Sequence, residues 1–294
     1  MDKQGMSGKL VVITGATSGI GRATAEGLSA MGATLLLVGR DEGRLKAAQD
    51  SMPRVEGVPM PETHCADLSS MAEVRRLAAA IRDAHPRVDV LINNAGTIAG
   101  RRKLTVDGYE YTFALDHLSP FLLTNLLLDR LKAAAPSRII TVSSSAHLAG
   151  KIHFDDLMLA RRYSAPRAYG QAKLANVLFT YELARRLEGT RVTANCVHPG
   201  AVRTHFGNEA SGPVRIGLVA VRPFELSARQ GARTPIYLAS SPEVEGVTGR
   251  YFVRGKARRS STASYDLDAA RRLWEESARL TGLEADERAA GDRK

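Results

Sequence analysis

A glycine-rich turn between two regular patterns constrains this 294-residue chain more than any other feature. The apolar run Lys9–Thr14 (KLVVIT) predicts a buried strand, and the amphipathic run Gly19–Met31 predicts a helix. The turn between them reads Gly15-Ala16-Thr17-Ser18-Gly19-Ile20-Gly21. Glycines allow a tight turn, and the free N–H groups at the start of a helix attract anions. The turn therefore predicts a site for the pyrophosphate of a dinucleotide, although its Gly-x-x-x-Gly-x-Gly spacing differs from the general G-x-G-x-x-G fingerprint.

The same alternation of strand and helix patterns continues along the chain. Further strands are predicted at Thr34–Gly39, Val88–Asn93, Arg138–Ser143 and Val192–Val197. Further helices are predicted at Glu42–Asp50, from a Ser70-x-x-Glu73 capping box through Arg82, at about 106–133 and at about 166–187. Buried strands that alternate with helices predict an α/β fold, a Rossmann-like doubly wound parallel sheet in a single domain.

The domain boundaries follow from where these patterns begin and end. Residues 1–8 are predicted to be an N-terminal tail, 9–281 the dinucleotide-binding catalytic domain, and 282–294 a polar tail. The stretch at about 203–225 is rich in Gly, Pro and Arg and follows a strand. Folds of this class place substrate-covering segments at such positions, so we expect a substrate loop there.

Composition narrows the classes of partner. The net charge is +10, but the basic residues are scattered as short Arg pairs without interleaved aromatics, so we expect no nucleic-acid partner. The two cysteines, Cys65 and Cys196, lack CxxC spacing, which favours a cytoplasmic protein with reduced thiols. No apolar stretch is long enough to predict a membrane span.

The end of the second predicted strand bears on the choice of dinucleotide. An acidic residue at this place would accept hydrogen bonds from the adenosine ribose of NAD. Here Gly39 is followed by Arg40, whose guanidinium suits the 2′-phosphate of NADP. The sequence thus favours NADP(H), while the neighbouring Asp41 leaves NAD open.

Several further motifs, taken in order, identify a family. Asn93-Asn94-Ala95-Gly96 lies at the end of the predicted strand Val88–Asn93, and a serine pair ends the next strand. Tyr169-Gly170-Gln171-Ala172-Lys173 lies on a long helix, and Pro199-Gly200 follows a strand. From about Lys9 to about Arg254 the chain resembles the short-chain dehydrogenase/reductase family. Ser143–His147, Tyr169–Asn176 and His198-Pro199-Gly200 are most similar to its retinol-dehydrogenase-like branch.

The resemblance implies a set of cofactor-binding residues. The glycine turn would hold the pyrophosphate through Gly15, Thr17, Ser18, Gly19, Ile20 and Gly21. Asp67 and Leu68 would contact the adenine, and Asn94, Ala95 and Gly96 would line the adenosine-side ribose. The nicotinamide amide would be held by Pro199, Gly200, Val202 and Thr204, and Lys173 would reach the nicotinamide ribose.

The resemblance also implies a catalytic set of Ser144, Tyr169 and Lys173, and this set fits the chemistry of hydride transfer. Reduction of a carbonyl leaves an alkoxide that must gain a proton, and free tyrosine is a poor base at neutral pH. Tyr169 and Lys173 stand four residues apart on one helix face, where the ammonium is expected to lower the pKa of the phenol. Ser144 is expected to donate a hydrogen bond to the carbonyl oxygen.

One position departs from the family. Its fourth catalytic residue is an asparagine on the helix before the serine strand, whose backbone carbonyl holds a water that leads to the lysine. This chain has Asp116 at that place, in Leu115-Asp116-His117-Leu118. We expect Asp116 to leave the enzyme active and to alter its pH dependence, or, if the side chain points away, to change nothing.

The expected function is an NADP(H)-dependent oxidoreductase that interconverts an apolar ketone or aldehyde and its alcohol. The alternatives are a non-catalytic dinucleotide-binding regulatory protein, and epimerase or dehydratase chemistry on the same fold. A hydrolase is disfavoured because the sequence has no G-x-S-x-G motif. An apolar substrate is suggested by two groups, which equally fit packing beneath loops: Phe154, Leu157, Met158 and Leu159, and Ile216, Leu218 and Val219.

Two further expectations concern metals and association. We expect no metal, because no HExxH or paired-cysteine motif occurs and because His147 and His153 are interpreted as surface residues. The resemblance implies a homodimer or homotetramer. The outer face of the helix that carries Tyr169 offers Leu178, Tyr181 and Leu183 as candidate contact residues, although some of them must pack on the sheet.

Overall fold

A computed structural model describes residues 5–200 and 226–283. Within this part of the chain the strands form one sheet in the order β3-β2-β1-β4-β5-β6-β7-β8. All neighbouring strands are parallel except β7 and β8, which form an antiparallel pair. The strands are β1 Leu10–Thr14, β2 Thr34–Gly39, β3 Glu62–Cys65, β4 Val90–Asn93, β5 Ser137–Val142, β6 Val192–His198, β7 Tyr251–Val253 and β8 Lys256–Arg258.

Helices cover both faces of the sheet, which confirms the predicted doubly wound α/β fold. Successive β1 residues show why, since Val12 belongs to the core on one face and Val11 and Ile13 to the core on the other. The described helices are α1 Gly19–Ser29, α2 Glu42–Asp50, α3 Met71–Ala84, α4 Tyr111–Phe113, α5 Ser119–Leu126, α6 Leu128–Ala133, α7 Ala165–Arg186, α8 Ala228–Ser240 and α9 Leu267–Thr281.

The helix predicted at about 106–133 begins later and is interrupted. Residues 104–110 form a tight hairpin instead, with a bridge between Leu104 and Glu110 and a positive φ of 79° at Gly108. A π-helical turn, Ala114–Leu118, then separates α4 from α5. Single π turns inside helices frequently mark functional sites, and this one contains Asp116.

The predicted capping box at the start of α3 is wrong. Ser70 does occupy the N-cap position, but its side chain makes no capping hydrogen bond. The Asp107 carboxylate accepts the hydrogen bond from the Met71 N–H at 2.9 Å, and Glu73 pairs with Arg76 at 2.6 Å. A carboxylate from the distant 104–110 hairpin has therefore replaced the local cap, which ties that hairpin to the start of α3.

The residues proposed for association are not on an outer face. Leu178 and Leu183 are buried in the main core together with Leu273 of α9, and the Tyr181 hydroxyl hydrogen-bonds Ser260 at 2.7 Å. Helix α9 packs along α7 and covers this face. The prediction that these three side chains form a subunit interface is therefore wrong, because the chain buries them itself.

No described helix is long and apolar enough to cross a membrane. The predicted N-terminal tail is described only from residue 5, and residues 284–294 of the predicted polar tail lie outside the described residues. So do Ile216, Leu218, Val219 and the whole of the predicted substrate loop at about 203–225.

Candidate active site

The glycine turn is fastened to the end of β4. The side-chain amide of Asn94 donates to the Thr14 carbonyl at 2.8 Å, and the backbone N–H groups of Asn94 and Ala95 donate to the Thr14 hydroxyl at 2.9 and 3.0 Å. Gly15 adopts a φ of +67°, which favours glycine. A Cβ on Gly21 would stand 2.3 Å from the Gly15 carbonyl oxygen, so the close packing of α1 on the turn requires glycine there. The Asn94 side chain thus braces the turn from behind.

The N-terminus of α1 suits the predicted pyrophosphate. Ser18 occupies the N-cap position, and its side chain makes no capping hydrogen bond, so the first N–H groups at Gly19 and Ile20 stand at a helix end without a side-chain cap. Thr17 packs against Gly39 at the end of β2, where a Cβ on Gly39 would lie 2.7 Å from the Thr17 methyl group. This arrangement fits a dinucleotide pyrophosphate, which would lie on the helix end.

The adenosine end of the cleft lies at the carboxyl ends of β2 and β3. The Arg40 side chain is exposed, and its Nη1 donates to the Tyr111 hydroxyl at 2.9 Å. Leu68 is buried, whereas Asp67 is exposed and accepts from the Ser69 N–H at 2.9 Å. The structure therefore brings Arg40, Asp67 and Leu68 to the edge where the resemblance requires them.

The two serines at the end of β5 have different surroundings. Ser143 is buried, and its hydroxyl donates to the backbone carbonyl of Lys173 at 2.8 Å, which fastens α7 to the strand. Ser144 is half-buried, caps the short 3₁₀ helix Ser145–Ala149 by accepting from the Ala146 N–H at 3.3 Å, and lies close enough to the Tyr169 hydroxyl to favour its phenolate form. Ser144, the second serine, is thus the one that faces Tyr169.

Tyr169 and Lys173 face the same region from α7. The Lys173 Nζ lies 5.3 Å from the centroid of the Tyr169 ring. Burial raises the pKa of Tyr169, and the opposing effects of the Lys173 ammonium and the Ser144 hydrogen bond do not cancel it. The Lys173 ammonium does lower the pKa of Tyr169, as expected, but burial outweighs this effect in the protein alone, so the net pKa is raised.

Asp116 makes a direct ion pair with Lys173. The Asp116 Oδ2 lies 2.8 Å from the Lys173 Nζ, and the two side chains are 0% and 4% exposed. The other carboxylate oxygen, Oδ1, accepts from the Thr97 N–H at 2.7 Å. Gly96 lies against the pair, since a Cβ there would stand 3.0 Å from Asp116 Oδ2 and 3.2 Å from Lys173 Nζ. The alternative that Asp116 points away from the site is thereby excluded.

In this pair, the effect of burial on each pKa is opposed by the charge of the partner. Burial alone would lower the pKa of Lys173, but the Asp116 carboxylate and Tyr169 outweigh it, so the pKa is raised. Burial raises the pKa of Asp116, against the effect of the Lys173 ammonium. The ammonium form of Lys173 is the form that this geometry supports, because the carboxylate contacts it directly.

The nicotinamide end is described in part. Pro199 and Gly200 directly follow β6, and Gly200 has a φ of +93°. Leu226 lies close to it, because a Cβ on Gly200 would stand 2.6 Å from a methyl carbon of Leu226. Val202 and Thr204 lie outside the described residues.

One of the two histidines interpreted as surface residues is buried. His147 is 1% exposed, its Nδ1 is 2.6 Å from the Ser144 carbonyl, and its Nε2 accepts from the Ser261 N–H at 3.1 Å. The interpretation fails because the 3₁₀ helix after Ser144 turns this ring inward against Tyr251. His153 is half-buried and contacts the Arg167 guanidinium. Within 5–200 and 226–283 no group of His, Cys, Asp or Glu side chains is placed to hold a metal, and the absence of a metal stays a prediction.

The first apolar group packs beneath loops, as one of the two interpretations held. Leu157 and Leu159 are buried, and Phe154 and Met158 pack against the same core. The nearest exposed apolar side chain in sequence to Ser144 is Leu148, which is 63% exposed and which the sequence did not single out. Thr97 was also missed, since a backbone donor leaves no signal in its residue type.

Comparison with known proteins places this geometry in a family. A family model described as short chain dehydrogenase matches residues 9–213. Human retinol dehydrogenase 14 is 45% identical, over 95% of this chain and 88% of that protein. "Putative daunorubicin C-13 ketoreductase DnrU" of Streptomyces sp. (strain C5) is 41% identical, over 95% of this chain and 94% of that protein.

Solved structures agree with the sequence comparisons. A crystal structure of a protein from Mycobacterium paratuberculosis is 37% identical with a TM-score of 0.77, and covers 94% of both chains. The Pseudomonas aeruginosa RhlG/NADP active-site complex is 28% identical with a TM-score of 0.67, over 86% of this chain and 97% of that one. The sheet order, the glycine turn and these relatives together show the family. The chain belongs to the short-chain dehydrogenase/reductase family, in its retinol-dehydrogenase-like branch.

Proposed function

We propose that this protein is an NADP(H)-dependent oxidoreductase that interconverts an apolar ketone or aldehyde and its alcohol. The observation that carries the proposal is the convergence of Ser144, Tyr169 and Lys173 beside the glycine turn, with Gly96 and Ala95 joining the two. A bound nicotinamide would supply the hydride, and the chain would supply orientation and the proton. These groups meet at the carboxyl ends of the parallel strands, where ligands bind in open α/β sheets.

The protonation states suit reduction of a carbonyl. Because burial raises the pKa of Tyr169, its hydroxyl keeps its proton at neutral pH and is available as a general acid. The Ser144 hydroxyl is placed to direct the carbonyl oxygen toward that proton. The Lys173 ammonium stabilises the phenolate that remains after the proton has left.

The preference for NADP(H) is supported by the two residues that follow β2. Arg40 is exposed at the adenosine end, where a guanidinium can bind a 2′-phosphate through two hydrogen bonds. Asp41, which left NAD open, is the N-cap of α2 and accepts from the Arg44 N–H at 2.8 Å. Its carboxylate thus has a structural use that does not require a ribose.

The proposed substrate class is supported by the names of the relatives. One name specifies retinol, an alcohol on an apolar skeleton, and another specifies a ketone of daunorubicin. In this chain Leu148, four residues after Ser144 in the sequence, is an exposed apolar side chain. We therefore propose an apolar carbonyl compound as the substrate class.

A direct assay tests the proposal. Purified protein is mixed with NADPH or NADH and a panel of retinoid aldehydes, aliphatic aldehydes and polycyclic ketones, and the loss of nicotinamide absorbance is followed. We expect turnover with NADPH, and a kcat/KM about tenfold or more above that with NADH, from one charge-assisted hydrogen-bonded contact. Tight NADPH binding without turnover would support a regulatory protein, and loss of water or inversion of a hydroxyl without net redox would support dehydratase or epimerase chemistry.

Location and association also belong to the proposal. A cytoplasmic location is supported by the two free cysteines, Cys65 and Cys196, and fractionation of the native host would test it. A homodimer or homotetramer is proposed from the family resemblance, through surfaces other than the face that α9 covers. Light scattering at micromolar concentration tests this, and a monomeric mass would refute it.

A further inference from the structure

One buried side chain beside Ser144 contacts backbone groups on both sides of its ring. His147 lies on the 3₁₀ helix Ser145–Ala149 and is 1% exposed. Its Nδ1 is 2.6 Å from the Ser144 carbonyl oxygen, and its Nε2 is 3.1 Å from the Ser261 backbone nitrogen. The ring also packs against Tyr251 of β7, with 4.7 Å between the ring centroids. The imidazole is therefore held from three directions.

The two backbone contacts determine the protonation of the ring. A carbonyl oxygen can only accept, so the Nδ1 of His147 must carry a proton and donate it to Ser144. A backbone N–H can only donate, so the Nε2 must lack a proton in order to accept from Ser261. Burial lowers the pKa of His147, which agrees with a neutral ring. Because both nitrogens are engaged, this ring can orient a neighbour but is not free to pass a proton to a substrate.

The contact from His147 restrains the residue that faces Tyr169. The Ser144 carbonyl accepts twice from His147, from its backbone N–H at 3.2 Å and from its ring at 2.6 Å. The Ser144 hydroxyl accepts from the Ala146 N–H at 3.3 Å, so its own proton remains available to a carbonyl oxygen. The backbone of Ser144 is extended, and the chain turns directly after it, so contacts to its carbonyl restrain the direction of its side chain.

The segment on the other side of the ring is itself anchored. The Ser261 carbonyl accepts from the Ser264 N–H at 3.0 Å and from the Ser264 hydroxyl at 2.6 Å, and Ser264 is buried. The 3₁₀ turn Thr262–Tyr265 packs on α7, the helix that carries Tyr169. His147 therefore joins the turn after β5 to a segment that is packed on the helix of Tyr169.

The far end of the same 3₁₀ helix meets α7 directly. A Cβ on Gly150 would stand 2.3 Å from the Gly170 carbonyl oxygen, and Gly170 is the residue after Tyr169. This close approach fixes the end of the turn on α7. With Gly150 at one end and the His147 ring near the other, the turn is held relative to Tyr169 at two points.

We propose that His147 is a positioning residue, which holds the Ser144 carbonyl through Nδ1 and so aims the Ser144 hydroxyl at the carbonyl oxygen that Tyr169 protonates. The proposal rests on the proposed function and adds to it a residue that acts through Ser144. Aim matters because a small misplacement of a hydrogen-bond donor removes much of its effect on the rate. The Ser261 N–H supports this role, since it permits only the tautomer whose Nδ1 carries the proton.

Two substitutions of similar size separate the hydrogen bond from the volume of the ring. His147→Leu removes both nitrogens, whereas His147→Asn keeps an amide N–H near the position of Nδ1. For His147→Leu we expect kcat for carbonyl reduction to fall about tenfold or more, and the Kd of NADPH to stay within about twofold. His147→Asn should keep kcat within about threefold of the wild type. Rates are divided by the NADPH sites found by titration, and equal losses in the two variants would overturn the proposal.

A double substitution tests whether His147 acts through Ser144. Ser144→Ala alone should lower kcat by about 10², the effect of removing one donor to the reacting oxygen. If the imidazole serves to aim that hydroxyl, adding His147→Leu to Ser144→Ala should lower kcat by no more than about twofold further. A general weakening of the fold would lower kcat by the same factor with and without the hydroxyl, and that result would overturn the proposal.

A matched control lies at the amino ends of the strands. His85 follows α3 and contacts Glu62, the first residue of β3, at 3.0 Å, so His85→Leu removes a histidine far from the strand ends that form the site. It should leave kcat unchanged. If the wild-type protein reduces no carbonyl compound with NADPH or NADH, the proposed function fails, and this inference with it. If the wild type is active and His147→Leu has the same kcat, the function stands and His147 has no positioning role.

Discussion

The two ends of the cofactor cleft hold their cations in opposite ways. At the reactive end Lys173 is 4% exposed and lies 2.8 Å from the Asp116 carboxylate. At the adenosine end Arg40 and Lys103 are exposed and contact a neutral phenol ring. The buried cation is paired with a carboxylate in the core, whereas the two exposed cations lie at the surface.

This difference sets how each end should respond to change. Removing one member of a buried ion pair leaves an unpaired charge, which commonly costs about 3–5 kcal/mol. Exposed charges contribute about 0–1 kcal/mol to folding, so their removal affects ligand binding much more than stability. Substitutions at the reactive end should therefore change both turnover and stability, whereas substitutions at the adenosine end should change only the preference between nucleotides.

The largest expected effect is at the reactive end. Tyr169→Phe keeps the ring and removes the proton, so turnover should fall by about 10² or more while NADPH still binds. Stopped-flow turnover and nucleotide titration measure the two quantities separately. Tyr181→Phe, on the same helix, removes a hydroxyl that bonds Ser260 away from the cleft and should keep turnover. Full activity in Tyr169→Phe would place the proton donor on another residue.

A smaller effect is expected at the adenosine end. Arg40→Ala should raise the KM for NADPH about tenfold, leave the KM for NADH within about twofold, and leave the thermal midpoint nearly unchanged. The reason is that Arg40 is exposed and that, in the proposed site, its guanidinium would bind the 2′-phosphate, which NADH lacks. Arg258→Ala, on the opposite edge strand β8, serves as the control. A parallel loss with both nucleotides would show that Arg40 contacts something other than the 2′-phosphate.

The sequence predicted best where local pattern and chemistry coincide. The strand Thr34–Gly39 and the helix Glu42–Asp50 have the predicted bounds, because an apolar run defines the strand and an Asp41 N-cap begins the helix. Ser144, Tyr169 and Lys173 meet because motif spacing on one strand end and one helix face fixes their placement. The element bounds and the placement of these side chains both follow from local sequence.

The sequence predicted the structure poorly where contacts between distant segments of the chain determine it. Strand β3, with the polar sequence ETHC, was not expected because it forms by pairing with β2 at the sheet edge. The α3 cap comes from Asp107 and not from the local Ser70-x-x-Glu73 pattern. One face of α7 was predicted to be free because the sequence does not reveal that α9 packs on it. A hydrogen bond of 2.9 Å between His117 Nε2 and the Ser277 hydroxyl joins α9 to the π turn. Burial lowers the pKa of His117 to about 4, so this contact is made by a neutral ring.

The smallest expected effect on turnover concerns Asp116, where this chain departs from the family's asparagine. Both carboxylate oxygens are engaged, Oδ1 by the Thr97 N–H and Oδ2 by the Lys173 ammonium. An amide has one acceptor oxygen, so Asp116→Asn must lose one of these two contacts. We expect the loss to lower the free energy of unfolding by about 3–5 kcal/mol, since it leaves the buried Lys173 ammonium without its carboxylate, measured by denaturant titration.

The chemistry itself should survive this substitution. The Lys173 ammonium, the Tyr169 hydroxyl and Ser144 all remain, so Asp116→Asn should keep turnover within about tenfold, roughly 1.4 kcal/mol of barrier. Tyr169→Phe removes the proton donor, whereas Asp116→Asn removes only a charge behind it. A loss of a hundredfold or more would mean that the carboxylate acts in the reaction directly.

The direction of the pH change follows from the signs of the two shifts. The Asp116 charge raises the pKa of Lys173 and also adds to the rise in the pKa of Tyr169 that burial causes. Removing that negative charge therefore lowers both pKa values. In alcohol oxidation, which needs the tyrosine as a base, the acidic limb of kcat/KM in Asp116→Asn should move to lower pH. The loss of activity at high pH, where Lys173 gives up its proton, should move the same way. A profile that stays in place would mean that the carboxylate does not influence the tyrosine, and a profile that moves to higher pH would contradict the ion pair as the source of the shift.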